Sequence, residues 1–144
     1  MINSFSNHYD FLSNFYPSEI EWGGLKYPTV EHYFQAFKTL DFDERAEIAA
    51  AATPGLAKRL GREVQLRDDW EEIKDMVMEI GLRKKFEDPQ LRARLRATGR
   101  TYLEEGNSWH DNYWGNCYCS RCQQVRGRNH LGQLLMKIRD EEEE

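Results

Sequence analysis

The chain has 144 residues, a net charge of −5, 40% apolar residues and 31% charged ones. That length suits one domain, 1–144, with a core large enough to stand without disulfide staples. The charge excludes a global basic field for holding long nucleic acid nonspecifically, and no apolar stretch is long enough for a membrane span. No basic-then-apolar leader opens the sequence, so a cytoplasmic protein with reduced thiols is expected.

The first 28 residues are rich in aromatics, Asn, Ser, Gly and Pro and read as loops with short strands. Within them, Glu19–Pro28 has Gly23-Gly24 between two alternating apolar pieces, which predicts a β-hairpin. Helices dominate from there. Thr29 caps a helix whose apolar set is Val30, Tyr33, Phe34, Phe37 and Leu40. Glu44–Ala52 is a second helix by propensity. Thr53 and Pro54 start a third, and Gly61 stops it. Asp68 or Asp69 caps a longer helix with Trp70, Ile73, Val77 and Ile80 on one stripe. Asp88 and Pro89 start the next, which Gly99 ends. Thr101–Gly106 reads as a short strand, and Leu131–Arg139 as a last helix with Leu131, Leu134, Leu135 and Ile138 inward. Residues 140–144 are an acidic tail expected to fray. The class is mainly α, an α+β chain with a small N-terminal β-hairpin.

Three polar constellations interrupt this grammar. At about 100° per residue, Glu31, Gln35 and Lys38 share a narrow sector of the first helix, beside its aromatic arc. A carboxylate in a first helical turn and an amine at the edge of a core are useful in catalysis; the plainer alternative is an ordinary amphipathic helix. Ser108–Asn116 packs Trp109, His110, Asp111, Asn112, Tyr113 and Trp114 without any helical or strand period. Rings beside an acid and amides suit a sugar or a planar base, or else form a loop that plugs the core with Trp. Phe11–Ser18 sets Ser13 and Asn14 among rings and is equally open.

Basic residues gather at Leu91–Arg100 and Arg121–Arg128, either as solvated faces or as phosphate contacts. The three cysteines, Cys117, Cys119 and Cys122, form a C-x-C-x-x-C run. An odd count argues against a disulfide framework. These thiols supply three soft ligands for a structural zinc, with His110 or His130 as a fourth, or are simply free thiols in a tight loop.

Taken in order, these segments resemble the NADAR superfamily, and within it the YbiA-like N-glycosidases. The resemblance rests on S-N-F at Ser13–Phe15 and E-H-Y-F-Q-A-x-K at Glu31–Lys38. It continues through ATPGLAKRLGR, DDWEEIKDMVM with Trp70, and LRKKFEDPQLRARLRATG. It ends with Asp111 before the W-G of Trp114-Gly115, and N-x-L-G-x-L-L-M-x-x-R over Asn129–Arg139. The sequence departs from the family's glycine-rich stretch after W-G, where it has NCYCSRCQQVRG. The resemblance implies a compact, single-domain YbiA-like fold and hydrolysis of an N-glycosidic bond. It implies Glu31, Lys38, Trp70 and Asp111 as the catalytic set, with Lys38 attacking the anomeric carbon to form a Schiff base in relatives that act on ADP-ribose. Expected substrate-binding residues are Ser13, Asn14, Phe15 and His32, together with Gln35, Trp114, Gly115 and Asn129.

Breaking a ribose–nitrogen bond develops positive charge at the ring oxygen and anomeric carbon, so a nearby anion and a proton donor for the leaving nitrogen both help. Asp111 is expected near the leaving group, Glu31 at the water, and Trp70 stacked on the base or walling the ribose, unless it is a core ring. Asn14 and Asn129 would bind hydroxyls or phosphate. No cofactor is required. The favoured substrate is ADP-ribosyl-guanine, as a small nucleotide sugar or in nucleic acid, with a cognate ADP-ribosyltransferase toxin as an implied partner. Alternatives are phosphoribosyl intermediates of riboflavin biosynthesis and a non-catalytic ADP-ribose or NAD binding module.

Overall fold

Ile20–Trp22 (β1) and Leu25–Tyr27 (β2) form the expected antiparallel hairpin, with Ile20 opposite Tyr27 and Trp22 opposite Leu25. Gly23 and Gly24 both have positive φ, 60° and 83°, as a two-residue turn matched to strand twist requires. This is a computed structural model, and it describes residues 1–141. The chain divides into two compact units, Asn14–Phe86 and the remainder, residues 1–13 with 87 onward. No helix among the described residues is long and apolar enough to cross a membrane.

The unit Asn14–Phe86 is built around Val30–Ala36 (α1), every residue of which is buried. It packs against Phe42–Ala49 (α2), Pro54–Gly61 (α3) and Trp70–Lys85 (α4). Thr29 caps α1 by accepting from the His32 N–H. The helix is shorter than its apolar spacing suggests. Lys38 and Thr39 N–H groups bond back only three residues, to Gln35 and Ala36, and the backbone tightens into a turn there. Lys38 therefore lies just past α1 rather than on it, and Leu40, expected inward, is 70% exposed.

The second helix begins two residues before Glu44 because Asp41 caps it, accepting from the Glu44 N–H at 2.9 Å. It ends at Ala49, short of the expected Ala52. Thr53 caps α3 as expected. Asp69 occupies the cap position of α4, but its carboxylate does not cap. Both its oxygens are taken by the Arg67 guanidinium, at 2.6 and 3.2 Å. Gly81 is where α4 meets α1: a Cβ there would lie 2.6 Å from the Tyr33 ring, whose hydroxyl donates to Val77 O at 2.9 Å.

In the other unit, Pro89–Ala97 (α5) is capped by Asp88, and Gly99 ends it at φ 66°. Arg94 of the basic run stacks on Phe11 at 4.1 Å and donates to His8 O. The expected strand over Thr101–Gly106 is broken. Leu103 makes a single parallel bridge to Ile2. Gly106 N–H then turns back to Glu104 O, which interrupts the ladder before Gly106–Asn107 (β3) pairs in parallel with Asn116–Cys117 (β4).

The final helix is His130–Asp140 (α6), with Leu131 and Leu135 fully buried and Leu134 and Ile138 half-buried. The acidic tail begins later than expected: Asp140 is still helical and accepts from Arg139 Nε at 2.8 Å. Residues 142–144 lie outside the described residues.

Candidate active site

The first two members of the Glu31–Gln35–Lys38 stripe are sealed from solvent, Glu31 at 7% exposure and Gln35 at 4%. They lie one turn apart on α1, so Gln35 Nε2 reaches Glu31 Oε1 at 2.8 Å. This bond leaves the carboxylate an acceptor and orients it. Glu31 also stands in the first turn of α1, where the helix dipole favours an anion, and its own N–H donates to Asn14 O. Asn14 is buried too; its Nδ2 donates to Met78 Sδ at 3.5 Å.

Among the described residues, Gln35 Oε1 and Asn14 Oδ1 are buried acceptors with no hydrogen-bond partner. A native core rarely leaves such atoms unmatched.

Gly61 was read as a helix stop, yet it is the last residue inside α3 and faces Gln35. A Cβ there would sit 2.0 Å from Gln35 Oε1. Only glycine lets α3 approach so closely, and nothing in a single sequence separates this use from an ordinary helix end. We expect Gly61→Ala to force Gln35 aside, costing about 1–3 kcal/mol of stability. Denaturant melts would measure that cost, and turnover should fall with the loss of Glu31's orienting bond.

Lys38 is half-buried, and burial pushes its amine below the ordinary lysine range. Glu31 opposes that shift, while Arg62, Lys58 and Lys74 add to it. Nothing in the sequence spacing marks these three cations as neighbours of Lys38. Their effect is to leave a larger share of Lys38 as free amine, the nucleophilic form.

The structure gives His32 a different place from the one expected. His32 is 1% exposed and both its ring nitrogens are engaged, Nδ1 with Thr29 Oγ1 at 2.8 Å and Nε2 with Ala51 O at 3.0 Å. Burial lowers its basicity, and with both nitrogens held by the protein the ring serves the fold rather than facing a ligand. Trp70 packs its ring on Phe34, centroids 5.0 Å apart, and is 5% exposed, the burial of a core ring. Phe15, by contrast, is 44% exposed.

In the other unit, the Ser108–Asn116 segment is organised by short polar side chains. Asn107 Oδ1 accepts from the N–H groups of Trp109 and Asp111, and its Nδ2 donates to Asp111 O at 2.8 Å. Asp111 Oδ1 in turn accepts from Tyr113 N and Trp114 N, at 3.1 and 2.9 Å. The aspartate is thus half-buried and held by the backbone that follows it. Trp114 meets Tyr113 edge-on at 4.9 Å, and Trp109 is 57% exposed, so the loop does not plug a core with that ring.

Gly115 is needed for backbone contact, since a Cβ would fall 2.1 Å from Glu105 O. Ser13 ends the turn Asn7–Leu12, its N–H on Asp10 O. Asn129, expected to bind substrate, is instead structural. It is buried, its Oδ1 accepts from Glu105 N at 3.0 Å, and its Nδ2 donates to Leu103 O at 2.9 Å and to Tyr102 Oη at 3.3 Å.

His110 and the three cysteines also come together in this unit. His130 does not join them; its ring lies on Tyr113 at 4.4 Å.

The family profile described as the NADAR domain matches residues 2–141. The chain is 42% identical over 141 residues to the N-glycosidase YbiA of Escherichia coli K12, an alignment covering 96% of this chain and 84% of that one. It is 40% identical over 139 residues to an N-glycosidase of Nostoc punctiforme, covering 92% and 85%. It is also 40% identical over 141 residues to a riboflavin biosynthesis protein of Vibrio vulnificus, covering 96% of this chain but 36% of that longer one. The NMR structure of E. coli YbiA superposes with a TM-score of 0.79 at 40% identity, over 97% of this chain and 85% of that one. The family profile spans both units, and the mainly helical fold with its small hairpin matches that solved structure: the chain belongs to the NADAR family.

Proposed function

We propose that this chain is an N-glycosidase that hydrolyses the bond between a ribose and a nitrogen in a ribosyl-phosphate compound. The observation that carries the reading is the buried Glu31–Gln35 pair with Lys38 just beyond it, an amine that burial makes easier to deprotonate. The names of the E. coli and Nostoc relatives as N-glycosidases support the same class.

In this reading the Lys38 amine adds to the anomeric carbon as the carbon–nitrogen bond to the base breaks. The departing nitrogen takes a proton from a general acid. Opening of the ribose ring, with a proton passed to its oxygen, leaves a C=N Schiff base on Lys38. Water then adds to that carbon with Glu31 orienting it or accepting its proton, and the sugar and the free amine are regenerated. Asn14 Oδ1 and Gln35 Oε1 are acceptors for ribose hydroxyls. The exposed Arg121, Arg126 and Arg128 side chains are the proposed diphosphate or nucleic-acid contacts.

For the substrate we place ADP-ribosyl-guanine first, because an amine that burial makes easier to deprotonate favours the Schiff-base route. A second reading, a phosphoribosyl intermediate of riboflavin biosynthesis, is favoured by the name of the Vibrio relative. Incubation with ADP-ribosylated guanosine and with a phosphoribosylaminopyrimidine, followed by mass spectrometry, tests both. Release of free ADP-ribose from the first is the expected outcome, with borohydride trapping a covalent adduct on Lys38. Turnover of only the second compound would assign the riboflavin-related substrate. Tight ADP-ribose binding with no turnover of either would make the chain a binding module.

A further inference from the structure

We propose that His110, Cys117, Cys119 and Cys122 bind one zinc ion in a closed, structural site. The ligand atoms offered by these four residues all lie within 4.8 Å of one another. His110 Nδ1 is 3.3 Å from Cys119 Sγ, 3.4 Å from Cys122 Sγ and 4.0 Å from Cys117 Sγ. Tetrahedral zinc, with bonds of about 2.3 Å to sulfur and about 2.0–2.1 Å to nitrogen, sets its sulfur and nitrogen ligands about 3.6 Å apart. The three separations bracket that value.

The imidazole cannot satisfy all three thiols by hydrogen bonding. A neutral imidazole nitrogen offers one lone pair and can accept one S–H, yet three sulfurs converge on this one. A cation at the centre satisfies all four.

Local structure prepares the site in three ways. Cys119 precedes and Cys122 ends the short turn Ser120–Cys122, where Cys122 N–H bonds to Cys119 O at 3.1 Å and brings the two side chains to one side. Cys117 ends β4. His110 adopts φ 71°, a left-handed conformation that a non-glycine residue takes at a cost, and this directs its ring to the thiols.

Backbone and amide donors then face the sulfurs. His110 N–H is 3.3 Å and Cys119 N–H 3.5 Å from Cys117 Sγ, and Asn112 Nδ2 is 3.5 Å from Cys122 Sγ. Three thiolates around a divalent ion leave one net negative charge, and such donors spread it. Three soft thiolates and an imidazole select zinc over calcium, magnesium or manganese. Four protein ligands leave no open position for water, so the ion is a staple and not a Lewis acid.

The need for a staple is visible in the surroundings. β3 and β4 are two residues each, and Tyr118, Ser120, Arg121 and the stretch 123–126 are exposed. Little apolar burial holds this segment, so a metal supplies the cross-link that packing does not.

The test is metal analysis of the full chain purified under reducing conditions without chelator. About one zinc per chain is expected, with cobalt(II) exchange giving the intense visible bands of tetrahedral thiolate coordination. Removal of the metal should lower the thermal midpoint by on the order of 10 °C, and zinc should restore it. Cys119→Ser together with Cys122→Ser should hold less than a tenth of an equivalent. Less than a tenth of an equivalent in the unaltered chain, with no cobalt bands on titration, would overturn the proposal, and so would a disulfide found by mass in the reduced preparation. None of these readouts involves a substrate, so failure here and failure of the glycosidic reading are separate results.

Discussion

Lys38→Ala and Glu31→Gln should each lower turnover about 100-fold or more, the scale on which acid–base and nucleophilic groups act. Both should leave the fold intact, for reasons the structure supplies. Glu31→Gln keeps an oxygen where Gln35 Nε2 now donates at 2.8 Å, so the pair survives without its charge. Lys38→Ala removes an amine whose charged form burial already disfavours. Thermal midpoints within a few degrees of the unaltered chain would show that lost turnover is chemical and not structural.

Glu31→Gln also carries a pH signature. In the unaltered protein, activity that needs the free amine should rise with pH through the Lys38 pKa, which lies below the ordinary 10.5. Glu31 is the neighbour that holds that pKa up, so Glu31→Gln should move it lower still. An amine reagent read by peptide mass would show Lys38 modified faster in Glu31→Gln at the same pH, even with glycosidic turnover lost. Equal or slower modification would contradict the electrostatic account, and full activity in both variants would remove this pair from the site.

Asn129→Ala should have the largest effect on stability, about 3 kcal/mol or more. The side chain occupies the N-cap position of α6 at φ 52°, a left-handed conformation that alanine takes less readily. Its removal leaves Glu105 N–H and Leu103 O without their partners, at about 1–3 kcal/mol for each buried group. Space does not relieve the loss. Gly132 approaches so closely that a Cβ on it would lie 2.4 Å from Asn129 Nδ2 and 2.1 Å from Leu103 O. Urea unfolding gives the measurement. A ligand-binding asparagine would behave differently, raising KM and leaving the unfolding midpoint near its original value. The hydrogen bonds of Asn129 assign it the first behaviour and not the second.

This exchange of roles shows where local chemistry stops being informative. Thr29, Thr53, Asp88 and Pro89 start their helices where they stand because a cap is decided within three residues of chain. Gly23-Gly24 makes the hairpin for the same reason, since positive φ is a property of the turn itself. The order of the NADAR motifs is likewise written in the chain, and the family follows from it.

Tertiary structure alone decided the rest, because burial and competing partners come from residues distant in sequence. Arg67 took the Asp69 carboxylate from its helix, and Ala51 O took the His32 ring from any ligand. Gly61, a plausible helix stop, became the space that Gln35 requires. Between His110 and His130, the two candidates for a fourth ligand, the left-handed backbone at His110 turned its ring toward the thiols while Tyr113 kept the other. An isolated sequence gives the types of atom available; only packing determines which of them remain open to a sugar or a metal once the protein's own groups have been satisfied.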